Sequence, residues 1–263
     1  MSLKEVSILS EQTLLDIRGV SKRFGAVQAL SEVDFQARAG EVTALVGDNG
    51  AGKSTLIKGI AGIYPFDSGE IYFDGQRVHL HSPRDSAALG IEVVYQDLAL
   101  ADNLDVVANM FLGRERTQSL WRLDEVSMEQ ACIETLNSLS VSTLRSVRQT
   151  VAGLSGGQRQ AIAVAKAVMW NSRLVILDEP TAALGVAQTR QVLDLVKRLA
   201  QKGLAVVLIS HNLHDIFEVA DRITVLRLGH RVEEYVASET TQEEVVHAIT
   251  AGKIQRVPGM QTS

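Results

Sequence analysis

Residues 47–55 read GDNGAGKST, and Gly47, Gly52, Lys53 and Ser54 fit the spacing G-x-x-x-x-G-K-[ST] of a phosphate-holding loop. The phosphates of a nucleotide need many hydrogen-bond donors in little space. Glycines let a backbone curl until its N–H groups converge, and a helix that opens directly after the loop adds a partial positive charge. Gly47, Asp48, Asn49, Gly50, Ala51, Gly52, Lys53, Ser54 and Thr55 are therefore the candidate nucleotide contacts. Lys53 can reach the β- and γ-phosphates, the Ser54 hydroxyl suits a hard divalent cation, and Thr55 is placed for the α-phosphate side.

Two further runs supply matching chemistry. The apolar run 174–180, LVILDEP, ends in Asp178 and Glu179. Carboxylates at the end of a strand face the crevice where ligands bind in open α/β sheets. Asp178 suits a Mg²⁺ partner through water, and Glu179 suits polarising an attacking water. Leu154, Ser155, Gly156, Gly157 and Gln158 (LSGGQ) precede an alanine-rich helical run. A serine and two glycines at a helix start make a second anion site. One nucleotide can use both helix starts only if the second comes from another copy of the chain, or from a fold-back that the spacing does not favour. Gln96, His211 and Phe24 are weak singly: each residue type at such a position is ordinarily a solvated, helix-start or core residue.

These groups need a scaffold. Residues 14–20 and 33–39 alternate as strands do, with Gly25 and Gly40 marking turns. Residues 41–46 predict a short strand into the glycine-rich loop, and 53–61 a helix. Asp74-Gly75 signals a hairpin after a strand at 70–73, and Ser82-Pro83 a helix start. Strand 91–95 ends at Gln96. Residues 97–150 then read as a helical insertion, with 123–139 its clearest helix. From Ser155 the pattern is helix, strand 174–177, helix 187–200, strand 205–210 and helix 213–220, followed by a hairpin over 222–236 around Gly229. Alternating strands and helices predict an α/β fold with a mostly parallel sheet covered on both faces. The last residues, 252–263, read as a frayed tail.

The bulk numbers exclude some classes. The chain has 263 residues, 46% of them apolar, enough for one large domain with a subdomain. A net charge of −5 argues against holding nucleic acid. The single cysteine, Cys132, rules out an internal disulfide. Glu5, Glu11 and Asp16 and the lack of a long apolar run argue against a signal peptide, and no stretch nears the ~20 apolar residues that span a bilayer.

Taken together and in this order, the phosphate loop, LSGGQ and DEP closely resemble the nucleotide-binding subunits of ATP-binding-cassette (ABC) transporters, over about residues 14–236. The resemblance implies a P-loop NTPase fold: a RecA-like core with an antiparallel β-subdomain and a helical subdomain. The nucleotide-binding domain would span 12–240, with core 12–96 and 155–236 and helical subdomain 97–154, and 241–263 a C-terminal helix and tail. It implies an ATPase using ATP and Mg²⁺, in a head-to-tail homodimer where Leu154–Gln158 of each copy caps the γ-phosphate held by the other's Lys53. Gln96 matches the glutamine that touches Mg²⁺ and the lytic water, with Ser54 and Asp178 completing the metal set. His211 matches the histidine on the γ-phosphate, and Phe24 the aromatic stacked on adenine. The partners implied are membrane permease subunits and a periplasmic or extracellular solute-binding protein, at the cytoplasmic face of the membrane.

Residues 47–58, 93–115 and 179–189 look like ATPases of simple-sugar importers of the ribose, xylose and fructose type. An ATPase for another solute, and a soluble ABC ATPase acting on ribosomes or DNA, are the competing readings; the insertion is too short for a DNA-repair coiled-coil arm. One position departs from the family pattern: Gly185 stands where an aspartate usually contacts the opposite site.

Overall fold

The computed structural model describes residues 13–119, 122–141 and 144–252. The first twelve residues lie outside them, as does the tail read at 252–263 except for Gly252.

Two sheets form the body. The first is antiparallel, in order β2-β1-β4-β5. It comprises β1 (Thr13–Phe24), β2 (Val27–Arg38), β4 (Ser68–Phe73) and β5 (Gln76–Val78). Gly25 turns β1 into β2, and Asp74-Gly75 turns β4 into β5, where the sequence predicts turns. The second sheet has β3 (Val42–Val46), β6 (Ile91–Val94), β9 (Leu174–Asp178), β10 (Ala205–Ile209), β11 (Arg222–Arg227) and β12 (His230–Val236). Its order is β12-β11-β3-β10-β9-β6, parallel throughout except for the β11–β12 hairpin.

Strands β3 and β10 are buried at every position, as apolar runs covered on both faces must be. The period of two divides β9 between two cores. Val175 and Leu177 pack with Phe111, Ile162 and Leu193 on one side; Leu174 and Ile176 pack with Ile17, Phe35 and Ile57 on the other. Between the sheets lies α1 (Lys53–Ile60), burying Leu56, Ile57 and Ile60. Ser82 and Asp85 form a capping box at α2 (Pro83–Ala88), with Pro83 at the first turn where its missing N–H costs nothing.

The insertion carries α3 (Val106–Phe111) and α4 (Glu125–Ser138). It also carries a small hairpin, β7 (Thr117–Ser119) with β8 (Arg122–Leu123), in a region the sequence reads as helical. Those strands are three and two residues long, too short for a periodicity to register. Then follow α5 (Gly156–Val168), α6 (Val186–Gln201), α7 (Leu213–Val219) and α8 (Gln242–Ala251). The last packs Val245 and Ala248 onto Ile223 and Val225 of β11. Among the described residues no helix is long and apolar enough to cross a membrane.

The strand order decides the geometry of the site. Because β10 lies between β3 and β9, and β6 flanks β9, the segments after all four strands emerge side by side at the carboxyl edge.

Candidate functional site

The loop after β3 owes its shape to close packing. A side chain on Gly47 would overlap the backbone carbonyl of Leu226. Gly52 has φ 106° and ψ −1°, outside the left-handed well open to other residues. Its neighbours pin it from behind: Gly229 N–H donates to Ala51 O (3.0 Å) and Ser31 N–H to Gly229 O (2.8 Å). Lys53 Nζ folds back over the loop and donates to Gly47 O at 2.6 Å and Asp48 O at 3.0 Å. Burial lowers the pKa of this amine, while Glu179, Asp48 and Asp178 pull the other way.

A cleft of about 560 Å³ opens above the loop. Asn49 to Thr55 line it together with Gln96, Asp178, Glu179 and His211, so these residues from four separate segments meet there with a fifth, from β2. Gly47 and Asp48 stand behind it, contributing the carbonyls that hold Lys53. Glu179 is the first residue past β9; its backbone is left-handed (φ 51°), and its N–H donates to Ile209 O at 2.9 Å. A non-glycine residue in that region costs on the order of 1–3 kcal/mol and persists only where its surroundings impose it. His211 Nδ1 lies 2.8 Å from Glu179 Oε2.

Burial pushes the Asp178 carboxyl above its usual range; Glu179 adds to this, and Lys53 and Lys58 oppose it. Among the described residues no hydrogen bond holds that carboxylate, so a cation beside it would relieve an electrostatic cost. The donors sharing the cleft are hard oxygens: the Asp178 carboxylate, the Ser54 hydroxyl and the Gln96 amide. Among the described residues no cluster of three or more His, Cys, Asp or Glu forms a ready metal cage. This is the pattern of an ion held jointly by protein and phosphates.

Two predicted groups stand apart. Ser155 caps α5: its hydroxyl accepts from Gln158 N–H (3.3 Å), while Gln158 Oε1 accepts from Ser155 N–H (2.9 Å). None of Leu154, Ser155, Gly156, Gly157 and Gln158 lines the cleft. Phe24 does not line it either. Its ring meets Tyr64 edge-on at 5.2 Å and lies under Lys22 Nζ at 5.6 Å. The wall on that side is Val27, Gln28 and Ala29 of β2, which sequence reasoning missed. Their only signal is position, directly after the turn that follows Phe24. Gly185 caps α6 with an ordinary φ of −72°.

Beyond Gln96 the same strand feeds a second concavity. A groove of about 350 Å³ is lined by Tyr95, Leu98, Leu112, Arg114, Lys166 and Trp170, among others. Gln96 thus lies in one cleft and its neighbours Tyr95 and Asp97 in the other.

Known proteins share this arrangement. The sequence profile described as ABC transporter matches residues 30–182. The fructose import ATP-binding protein FrcA of Rhizobium meliloti is 44% identical over 93% of this chain and 96% of its own length. The xylose/arabinose import ATP-binding protein XylG of Sulfolobus acidocaldarius is 46% identical over the same shares. A ribose import ATP-binding protein, RbsA of Caldanaerobacter subterraneus, is 36% identical, but this chain spans only 49% of its length. Among solved structures, a nucleotide-free ATP-binding cassette from an ABC transporter superposes with a TM-score of 0.77 at 26% identity, over 89% of this chain and 94% of that one. A dimeric post-hydrolysis cassette bound to ADP and Pi gives 0.69 at 25% identity, over 85% and 99%. The nucleotide loop, the carboxylate pair beside it and these matches over nearly the whole chain lead to one assignment: the chain belongs to the ABC transporter family, as an ATP-binding cassette with ATPase activity.

Proposed function

We propose that this chain is the ATP-hydrolysing subunit of a monosaccharide importer, working as one half of a head-to-tail pair. One observation carries the reading: the loop, Gln96, Asp178, Glu179 and His211 converge on one cleft, while the equally phosphate-suited Ser155–Gln158 turn lies outside it. A second copy can bring that turn to the open side of the cleft. The relatives named for fructose, xylose/arabinose and ribose import support a sugar cargo.

In this reading Lys53 releases its loop carbonyls and moves to the β- and γ-phosphates. Asn49 to Thr55 bind the remaining phosphate oxygens with backbone N–H groups. Ser54, Asp178 through water, and Gln96 would hold Mg²⁺, which supplies charge neutralisation on the phosphates. Glu179 polarises the attacking water, and His211 turns from Glu179 to the γ-phosphate. Phe24, beside the Val27–Ala29 wall, serves the adenine. The partner's Ser155–Gln158 closes the γ-phosphate from the far side. Closure draws the two copies together; hydrolysis removes the bridging charge and lets them part.

Residues 97–113 would shape the groove that receives a permease subunit, placing the chain at the cytoplasmic face of the membrane. A solute-binding protein delivers the sugar to that permease. We assign 12–240 to the nucleotide-binding domain, with 97–154 its helical part, and 241–263 to a C-terminal helix and tail. The test is Glu179→Gln. It should lower the hydrolysis rate at least about a hundredfold, keep ATP binding, and run as an ATP-dependent dimer on gel filtration. An unchanged rate would overturn the assignment of Glu179.

A further inference from the structure

Behind the cleft, the turn at residues 179–184 and the segment 210–215 run side by side. Two side-chain contacts of equal length join them. In the cleft, His211 Nδ1 lies 2.8 Å from Glu179 Oε2, with the histidine side chain 78% exposed. Deeper, the Thr181 hydroxyl donates to Asp215 Oδ2 at 2.8 Å, with Asp215 only 3% exposed. The first contact can be displaced by whatever enters the cleft. The second is a part-buried hydroxyl–carboxylate bond set behind the cleft, its acceptor residue almost wholly out of water, so it outlasts such an event.

The turn needs a fixed point. Glu179 and Ala183 both have left-handed backbones, at φ 51° and 60°. Bonds inside the turn, Ala182 N–H to Glu179 O and Leu184 N–H to Thr181 O, would survive a swing of the whole turn and cannot aim it. The Glu179 N–H bond to Ile209 O anchors one end. Between Glu179 and Thr181 stands only Pro180, whose ring locks φ. Where the Thr181 hydroxyl is tied therefore sets, through one stiff residue, where the Glu179 side chain points.

We infer that Thr181 and Asp215 are positioning residues: a clamp, anchored on the buried Asp215, that keeps Glu179 aimed into the cleft once His211 has let go. The inference rests on the reading of Glu179 as the residue that activates water.

The test is Thr181→Val in the full chain, which keeps shape and removes the donor. It should lower kcat for ATP about 10- to 100-fold, leaving KM and the affinity for a fluorescent ATP analogue within about twofold. Thr181→Ser should restore kcat. Amide exchange at Glu179, whose N–H bond crosses to Ile209 O, should quicken, while that of α1 stays unchanged. Thr181→Val leaves a buried carboxylate without its donor, so stability needs separating from aim. Thr181→Val with Asp215→Leu removes the orphaned charge; kcat should stay low even where the unfolding temperature recovers. A parental kcat in Thr181→Val, a loss shared by ATP affinity, or a kcat that recovers with stability would each overturn the clamp. A parent chain that hydrolyses no ATP would defeat the functional reading instead. Amide exchange would still decide the clamp: faster at Glu179 for it, unchanged against it.

Discussion

Gly52→Ala, set against Gly50→Ala, separates what the nucleotide loop owes to backbone conformation from what it owes to packing. Both glycines have positive φ, 106° and 82°. A Cβ on Gly50 would meet nothing within 4 Å. On Gly52 it would lie 2.7 Å from Leu30 Cδ2 and 2.8 Å from the backbone O of Ala29. Leu30 could yield; the Ala29 carbonyl, set in a strand, cannot. Gly50→Ala should therefore cost about 1–2 kcal/mol of left-handed strain alone. Gly52→Ala adds overpacking to backbone strain, each of order 1–3 kcal/mol, for a total of about 4 kcal/mol. For a chain of this size that is roughly 8–16 °C in Tm, against a few degrees for Gly50→Ala. Thermal unfolding by circular dichroism reads both values. Titration with a fluorescent ATP analogue should show Gly52→Ala at least about tenfold weaker, since Ala29 lines the cleft beside the displaced loop. Equal losses in the two variants would refute the packing argument, and a Gly52→Ala protein with the parental Tm would refute both parts.

Two further outcomes follow from the site. The folded state holds the Asp178 pKa above its unfolded value, so the native chain binds more protons than the unfolded one between the two pKa values. Stability contributed by this group is therefore full below the unfolded value of about 3.9 and falls as pH rises through the folded one. Asp178→Asn should raise Tm at pH 7.5 and abolish Mg²⁺-dependent hydrolysis, with the Tm gain shrinking toward pH 4.5; a lower Tm at pH 7.5 would contradict it. Gly185→Asp meets nothing within 4 Å and replaces glycine at the N-cap of α6. It should add a few tenths of a kcal/mol, about 1 °C in Tm, and a clear loss would count against the exposed cap geometry.

The amino-acid sequence alone was enough for local chemistry. The loop from Gly47 to Thr55, the Asp178-Glu179 pair and the Ser155 cap are each written within a few consecutive residues, and backbone preference plus side-chain type suffices to read them. The largely apolar runs of β3, β9 and β10 are legible for the same reason, since burial on both faces leaves little room for polar residues; Thr43 of β3 is the buried exception. Tertiary structure decided what depends on contacts between distant segments. Strand order placed Gln96 and His211 in one cleft and put Val27–Ala29 rather than Phe24 on its wall. It also brought Thr181 to Asp215, 34 residues away. Nothing in the local sequence marks a threonine and an aspartate as partners, because their attraction exists only after β9 and β10 have paired and water has been excluded from between the segments that follow them.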